Sequence, residues 1–427
     1  MPGSRRTIPP AFSLPLVILV LLSIAPGCDG DPEVPRSKIL LIGLDGAEWD
    51  LITPMVEAGD LPNFARIMEG GVYGKLRSLE PLAKSPAIWT TIATGRSPEE
   101  HGIRTFVNSD GGKPLTTNLR KVRALWNILS GLDRTVGVVG WLMSWPAEEV
   151  NGFVVTDYLQ YGPGKGGRFA HRTYPAELED TVAPMATPWE DLPWDFVMRF
   201  LSAPLDTAAM SENLMRELRP IRMHTAADHS FARIGENLYR EERPDFFAVY
   251  LRGMDTMGHI YWNYMQPESV PASDLEPEAI PYLEGVMHGY YKYIDELIGP
   301  FLDLADDETS VIIVSDHGFQ GGPKGGVAAH KIDGVVMMTG KNVGKGEITG
   351  ATVYDIAPTI LVLMGLPPSE EMRGKVLWSA LGETIPRDRF AQLIPTYETG
   401  ELGGGAPVQS PVDEEIKERL RSLGYID

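Results

Sequence analysis

Cysteine is all but missing from this chain of 427 residues: Cys28 is the only one, which excludes an intramolecular disulfide framework. Positive charge is also scarce. Lys and Arg number 38 against 58 Asp and Glu, for a net charge of −20, and no basic run stands out. A nucleic-acid polymer is therefore disfavoured as main partner, because gripping a phosphate backbone takes clustered Lys and Arg. Long apolar runs are lacking too. The stretch Leu14 to Ala25 falls short of the roughly 20 residues of a membrane-spanning helix. No internal repeat stands out. What remains is an ordinary globular composition, 43% hydrophobic and 22% charged, long enough for one or two domains.

The N-terminus reads as an export signal. Arg5 and Arg6 precede the apolar stretch, and Ala25 and Gly27 then lead to Cys28. This pattern resembles a bacterial lipoprotein signal, in which the cysteine becomes the lipidated first residue; Pro26 is unusual there. A plain secretory signal and an uncleaved anchor are the competing readings, and all three export the chain. The expected organisation is a signal peptide over 1–27, a tether over 28–37, a catalytic domain over 38–384 and a C-terminal extension over 385–427. The expected place is extracytoplasmic, periplasmic for example, tethered to a membrane by a lipid on Cys28.

Apolar runs alternate with helix-like segments. Strands are expected at Lys38 to Leu44, Thr135 to Gly140, Phe246 to Leu251, Val311 to Val314 and Asp333 to Thr339. Helices are expected at Leu61 to Glu69 with Asp60 as cap, from Ser85 as N-cap to Ile92, at Val122 to Leu129, Ala226 to Glu241, Leu283 to Leu304, Tyr354 to Met364 and Val412 to Leu423. The alternation predicts an α/β fold with a mostly parallel central sheet and helices on both faces. Residues 157–223, rich in Gly, Pro and Trp, break the rhythm and read as an inserted cap.

Metal-ligand residue types cluster at the ends of the apolar runs. Asp45 closes the first; Asp255 and His259 follow Phe246–Leu251; Asp316 and His317 follow Val311–Val314; His330 comes shortly after. In open parallel sheets, ligands bind beyond the carboxyl ends of the strands, so these residues are expected to converge. Asp255 and His259 lie four apart, on one face of a helical turn. Gly318 is expected to permit the sharp turn that lets both Asp316 and His317 face one site. Ser85 sits at a helix N-terminus, whose dipole and free N–H groups favour a phosphoryl group; on local sequence alone, the reading as a simple capping serine wins. Three carboxylates, three imidazoles and one hydroxyl suffice for two divalent metals and a nucleophile, the equipment of a phosphoryl-transfer hydrolase. In so acidic a chain the ions would supply the positive charge that an anionic substrate needs. His224 and His229, five apart on a helix, are poorly placed to share an ion, and His101 is read as shaping a turn.

The motifs Ile42-Gly43-Leu44-Asp45-Gly46, Lys84-Ser85-Pro86, Thr94-Gly95 through His101-Gly102-Ile103, Asp255-Thr256-Met257-Gly258-His259 and Ser315-Asp316-His317-Gly318 resemble the alkaline phosphatase superfamily. The nearest branches are the type I phosphodiesterase/nucleotide pyrophosphatases and a related phosphohydrolase/phosphomutase group, over about residues 38–380. The resemblance implies an alkaline-phosphatase-like fold. It also implies two zinc-like sites, Asp45, Ser85, Asp316 and His317 at one and Asp255, His259 and His330 at the other. The Asp/His mixture suits Zn²⁺ and also Mn²⁺. Ser85 would attack phosphorus and carry a phosphoseryl intermediate, with Lys84 and Asn108 as candidates to contact phosphoryl oxygens. The substrate would be a small phosphate ester. Tyr250 stands where some relatives carry a third-metal Glu, which leans towards diesters, whereas phosphodiesterase branches often have Thr in place of Ser85. Pro86-Ala87-Ile88-Trp89 lacks the sulfatase pattern after the nucleophile. A phosphomutase or phosphotransferase on the same scaffold, and a non-catalytic binding protein with a degenerate site, are the alternatives.

Overall fold

The computed structural model describes residues 36–426 apart from 109–111, 162–168, 270, 272–274, 322–328, 401, 403–405 and 423. Cys28, the signal peptide over 1–27 and most of the tether lie outside the described residues.

Eleven strands are described: β1 Lys38–Leu44, β2 Val72–Arg77, β3 Val136–Val139, β4 Gly152–Val155, β5 Thr173–Tyr174, β6 Phe246–Leu251, β7 Thr309–Val314, β8 Gly318–Gln320, β9 Ala329–Lys331, β10 Asp333–Gly340 and β11 Gly346–Thr352. Nine of them form one sheet in the order β11-β2-β10-β7-β1-β6-β3-β4-β5, and β8 pairs with β9 in a separate ribbon. β1 runs parallel to both β6 and β7, and β3 to β6 and β4. Only β10 and β5 run against their neighbours, so the sheet is mostly parallel as expected.

The helices are α1 Trp49–Glu57, α2 Pro62–Gly70, α3 Ser85–Thr94, α4 Pro98–His101, α5 Leu125–Ser130, α6 Leu178–Val182, α7 Trp194–Met198, α8 Glu212–Glu242, α9 Gly253–Tyr261, α10 Ile280–Leu283, α11 Val286–Leu304, α12 Ile356–Leu363 and α13 Asp413–Ser422. Strand alternation sorts them onto the two faces. Leu40, Ile42, Phe247, Val249, Val311 and Ile313 join one buried cluster with residues of α1, α2, α8, α9 and α11. The opposite face carries Tyr250, whose ring meets that of Trp89 on α3 at 4.9 Å. Truncating a fully buried member such as Phe247 to Ala would cost about 3–5 kcal/mol.

Several local expectations change. Asp60 does not cap α2: Leu61 holds that position with no side-chain bond, and Asp60 instead pairs with Lys292 at 2.8 Å. Lys84, not Ser85, is the N-cap of α3, so the serine is the first helical residue. The helix expected from Ala226 begins a dozen residues or so earlier, at Glu212, where the Ser211 side chain accepts the Leu214 N–H; it passes through Pro220. It therefore includes the end of segment 157–223. Trp189 and Trp194 of that segment are packing residues, stacked with Arg219 and Arg222 of α8. Helix α5 is shorter than expected, and α1, β2 and β4 were not anticipated.

Candidate metal centre

The carboxyl ends of β1, β6 and β7 lie side by side; Asp45 and Asp316 follow β1 and β7 closely, and Asp255 stands in the first turn of α9 after β6. Gly46 (φ +73°) allows the chain to turn directly after Asp45; a Cβ there would stand 2.8 Å from Asp255 Cα. That close approach brings the motif of Asp45 and that of Asp255 together. On α9, the four-residue spacing puts His259 Nε2 3.4 Å from Asp255 Oδ1. Because β10 runs antiparallel, its start lies at the carboxyl end of β7, and β9 just before it carries His330 to the same edge. His330 Nε2 sits 3.1 Å from Asp255 Oδ1 and 2.8 Å from His259 Nε2.

Two groups result: Asp45, Asp316 and His317, and Asp255, His259 and His330. They adjoin, with the rings of His317 and His330 stacked at 3.7 Å and His317 Nε2 3.7 Å from Asp255 Oδ1. In the first group His317 Nε2 lies 3.5 Å from Asp45 Oδ1 and 3.4 Å from Asp316 Oδ2. Donors about 2.0–2.1 Å from a tetrahedral Zn²⁺ stand roughly 3.3 Å from one another, so these spacings match a metal's edges.

The hydrogen bonding points the same way. Each acid commits one oxygen to a donor. Asp45 Oδ2 accepts from Trp89 Nε1 at 3.2 Å and from the Tyr250 hydroxyl; Asp316 Oδ1 accepts from Gly46 N–H at 3.4 Å; Asp255 Oδ2 accepts from the Tyr425 hydroxyl. The other oxygens, Asp45 Oδ1, Asp255 Oδ1 and Asp316 Oδ2, are buried with no hydrogen-bond partner among the described residues, as are His317 Nε2 and Ser85 Oγ. His317 Nδ1 faces the Gly318 carbonyl at 3.1 Å, which assigns the proton to Nδ1 and leaves Nε2 as a lone pair. Leaving such groups unpaired costs several kcal/mol per buried ion, a cost that a cation between them offsets. The donor set therefore fits two divalent ions.

Electrostatics reflect the crowding. Burial, then the Asp255 charge, raises the Asp45 carboxyl to about 6. Burial and the charges of Asp45 and Asp255 push Asp316 well above its usual range. Burial, reinforced by His330, lowers His317 to about 3. Burial would raise Asp255 as well, yet His259 and His330 hold it well below the usual carboxylate range, and Asp255 in turn raises His259 against burial. Asp255 thus lies in the favourable field of its histidine neighbours, whereas the carboxyls of Asp45 and Asp316 crowd one another.

Ser85 and Trp89 lie four apart on α3, hence on one helix face, and Trp89 reaches Asp45. The Lys84 ammonium lies 5.3 Å from the centre of the Tyr425 ring. Asn108 is held in its own turn: its Oδ1 accepts the Lys113 N–H at 2.9 Å. His101 does shape a turn, accepting the Ile103 N–H on Nδ1. His224 and His229 join neither group; the former accepts from Arg419 Nη2 at 2.6 Å, and the latter lies 3.3 Å from the Tyr293 hydroxyl.

Gly318 has a different role from the one expected. Its φ is not left-handed; a Cβ there would lie 2.4 Å from Glu48 Oε2 and 2.5 Å from the Asp333 carbonyl. Close packing, not turn conformation, requires it. Glu48 was not anticipated. It caps α1 and also accepts the Phe319 N–H at 2.8 Å and pairs with Lys331 Nζ at 3.0 Å, holding both strands of the β8–β9 ribbon. Tyr425 was not anticipated either. No motif marks it, and it comes from the C-terminal extension.

This chain belongs to the type I phosphodiesterase/nucleotide pyrophosphatase family, whose sequence profile matches residues 39–340. Its fold is alkaline-phosphatase-like. The wild-type alkaline phosphatase PafA is similar, with 12% identity over 82% of this chain and all of that chain (100%), at a TM-score of 0.50. BT1596, a 2-O GAG sulfatase, shares 13% identity over 84% of this chain and 76% of that one, at a TM-score of 0.52. Phosphonoacetate hydrolase from Sinorhizobium meliloti 1021 shares 15% identity at a TM-score of 0.38; the chain spans 58% of its length.

Proposed function

We propose that this protein hydrolyses small phosphate esters with Ser85 as nucleophile and two divalent ions. One ion is held by Asp45, Asp316, His317 and Ser85, the other by Asp255, His259 and His330. The observation that carries this reading is the set of five buried donor atoms, on Asp45, Ser85, Asp255, Asp316 and His317, that make no hydrogen bond among the described residues. Zn²⁺ suits the donors, and Mn²⁺ is the alternative. Bound ions would neutralise phosphoryl charge and acidify the serine hydroxyl and the water.

Ser85 Oγ attacks phosphorus; the Oγ–P bond forms as the P–O bond to the leaving group breaks, and the departing oxygen takes up a proton. Water then cleaves the Oγ–P bond and restores the hydroxyl. Ser85 is the first residue of α3, so a phosphoryl group on its hydroxyl would lie at the helix N-terminus, where the dipole favours it. Trp89 and Tyr250 fix the Asp45 carboxylate through one oxygen, so the other stays aimed inward. Tyr250, committed to that bond, stands where a third-ion carboxylate would be, which favours diesters over monoesters.

The test is turnover of mono- and diester model substrates by the zinc-loaded protein. Ser85→Ala should lose about 10³-fold or more in kcat while keeping both ions and the fold. Full activity in that variant would remove the covalent mechanism, and phosphate appearing on an added alcohol instead of in water would favour a transferase. The reading also includes export and a lipid tether at Cys28. No helix among the described residues is long and apolar enough to cross a membrane.

A further inference from the structure

The last helix and the residues after it form a small apolar cluster of their own. Val412, Ile416, Leu420 and Tyr425 pack on Trp145, Tyr158 and Tyr161. Arg419 ties α13 down by donating to Gln160 Oε1 at 3.2 Å and to His224. The Tyr425 N–H bonds the Leu420 carbonyl at 2.9 Å, and its ring lies 4.8 Å from that of Phe106. So anchored, the ring is buried and its hydroxyl enters the metal centre. The phenol oxygen lies 2.9 Å from His259 Nε2 and donates to Asp255 Oδ2. It thus touches two of the three residues of one group, His259 at its donor nitrogen and Asp255 at the oxygen beside Oδ1, and its distance to His259 is close to those the donors keep among themselves.

Catalytic zinc has three protein donors and an open fourth position for water or substrate. We propose that Tyr425 is the fourth donor of the Asp255–His259–His330 group, its phenol oxygen standing at the vertex that substrate or water must take. This rests on reading that group as a metal site. The tyrosine completes the ion's coordination at rest and holds an otherwise open vertex. An ester or phosphate oxygen would have to displace the phenol, so Tyr425 would take part in ligand selection.

The experiment uses the full chain, stripped with a chelator and titrated with Zn²⁺ and separately with Co²⁺. Wild type and Tyr425→Phe are compared, with Tyr158→Phe as control because Tyr158 lies in the same aromatic cluster but touches no donor. The Phe ring preserves the packing. Expected in Tyr425→Phe is an unchanged stoichiometry of two, a loss of about tenfold or more in affinity for one ion only, and an altered Co²⁺ absorption spectrum. Inorganic phosphate should bind the zinc-loaded variant more tightly than wild type, because no phenol has to leave. Affinities and spectra identical to wild type would overturn the assignment, as would an equal change in Tyr158→Phe. A wild-type chain that binds no ions would instead sink the metal reading itself.

Discussion

His101 puts both ring nitrogens to structural use: Nδ1 accepts the Ile103 N–H, and Nε2 lies 3.1 Å from the Thr91 hydroxyl. A proton on Nδ1 would face another N–H. Burial, then the Arg120 charge, lowers this imidazole to about 3. The sign follows by linkage: between about 6.5 and 3 the unfolded chain holds a proton that the folded chain refuses, so stability falls as the pH drops. At pH 5 the loss from this side chain is about 2 kcal/mol. Urea unfolding at pH 7 and pH 5 should show wild type losing about that much more than His101→Gln. Equal losses would mean that the imidazole is not held neutral. His101 was legible as a turn residue because Gly102 follows it, but its buried, doubly bonded state was not.

The pairing of β8 with β9 matters more than their length suggests, because the ribbon starts beside His317 and carries His330. Its clamp is Glu48, reached from the N-terminus of α1. Glu48→Ala should remove a cap worth about 1 kcal/mol and strand the buried Phe319 N–H at a further cost of about 1–3 kcal/mol. It should also weaken ion binding at the His330 group by about 10–100-fold. Denaturation and zinc titration measure the two effects; a folded variant with wild-type zinc affinity would show that the ribbon needs no clamp. Elements with uninterrupted apolar runs were legible nearly to the residue, as in β1 and β6. Proline inside a helix hid α1 (Pro54) and the first turns of α8 (Pro220), although α11 was legible across Pro300. Strand direction was also unreadable. A histidine placed before a parallel strand would arrive at the wrong edge, and only the reversed β10 brings His330 to the acids.

The whole molecule gathers residues from 45 to 425 on one edge of its sheet. Its acids were legible because each follows an apolar run and topology dictates where such ends meet. Tyr425 was not, since nothing near it in sequence speaks of chemistry and its contacts span 170 positions. At this scale the tether also belongs. Lipidation at Cys28 would add about 0.8 kcal/mol per buried methylene of membrane affinity. Cells fed labelled palmitate should label the wild-type chain and not Cys28→Ser; an unlabelled wild type would return the segment to a plain secretory signal.

Tyr425 has a practical corollary for the bench. A fragment cut to residues 39–340, the span of the family profile, would lack Tyr425, whose hydroxyl touches Asp255 and His259. The boundary chosen for expression therefore decides whether a titration reports on the full pocket or on one stripped of that wall.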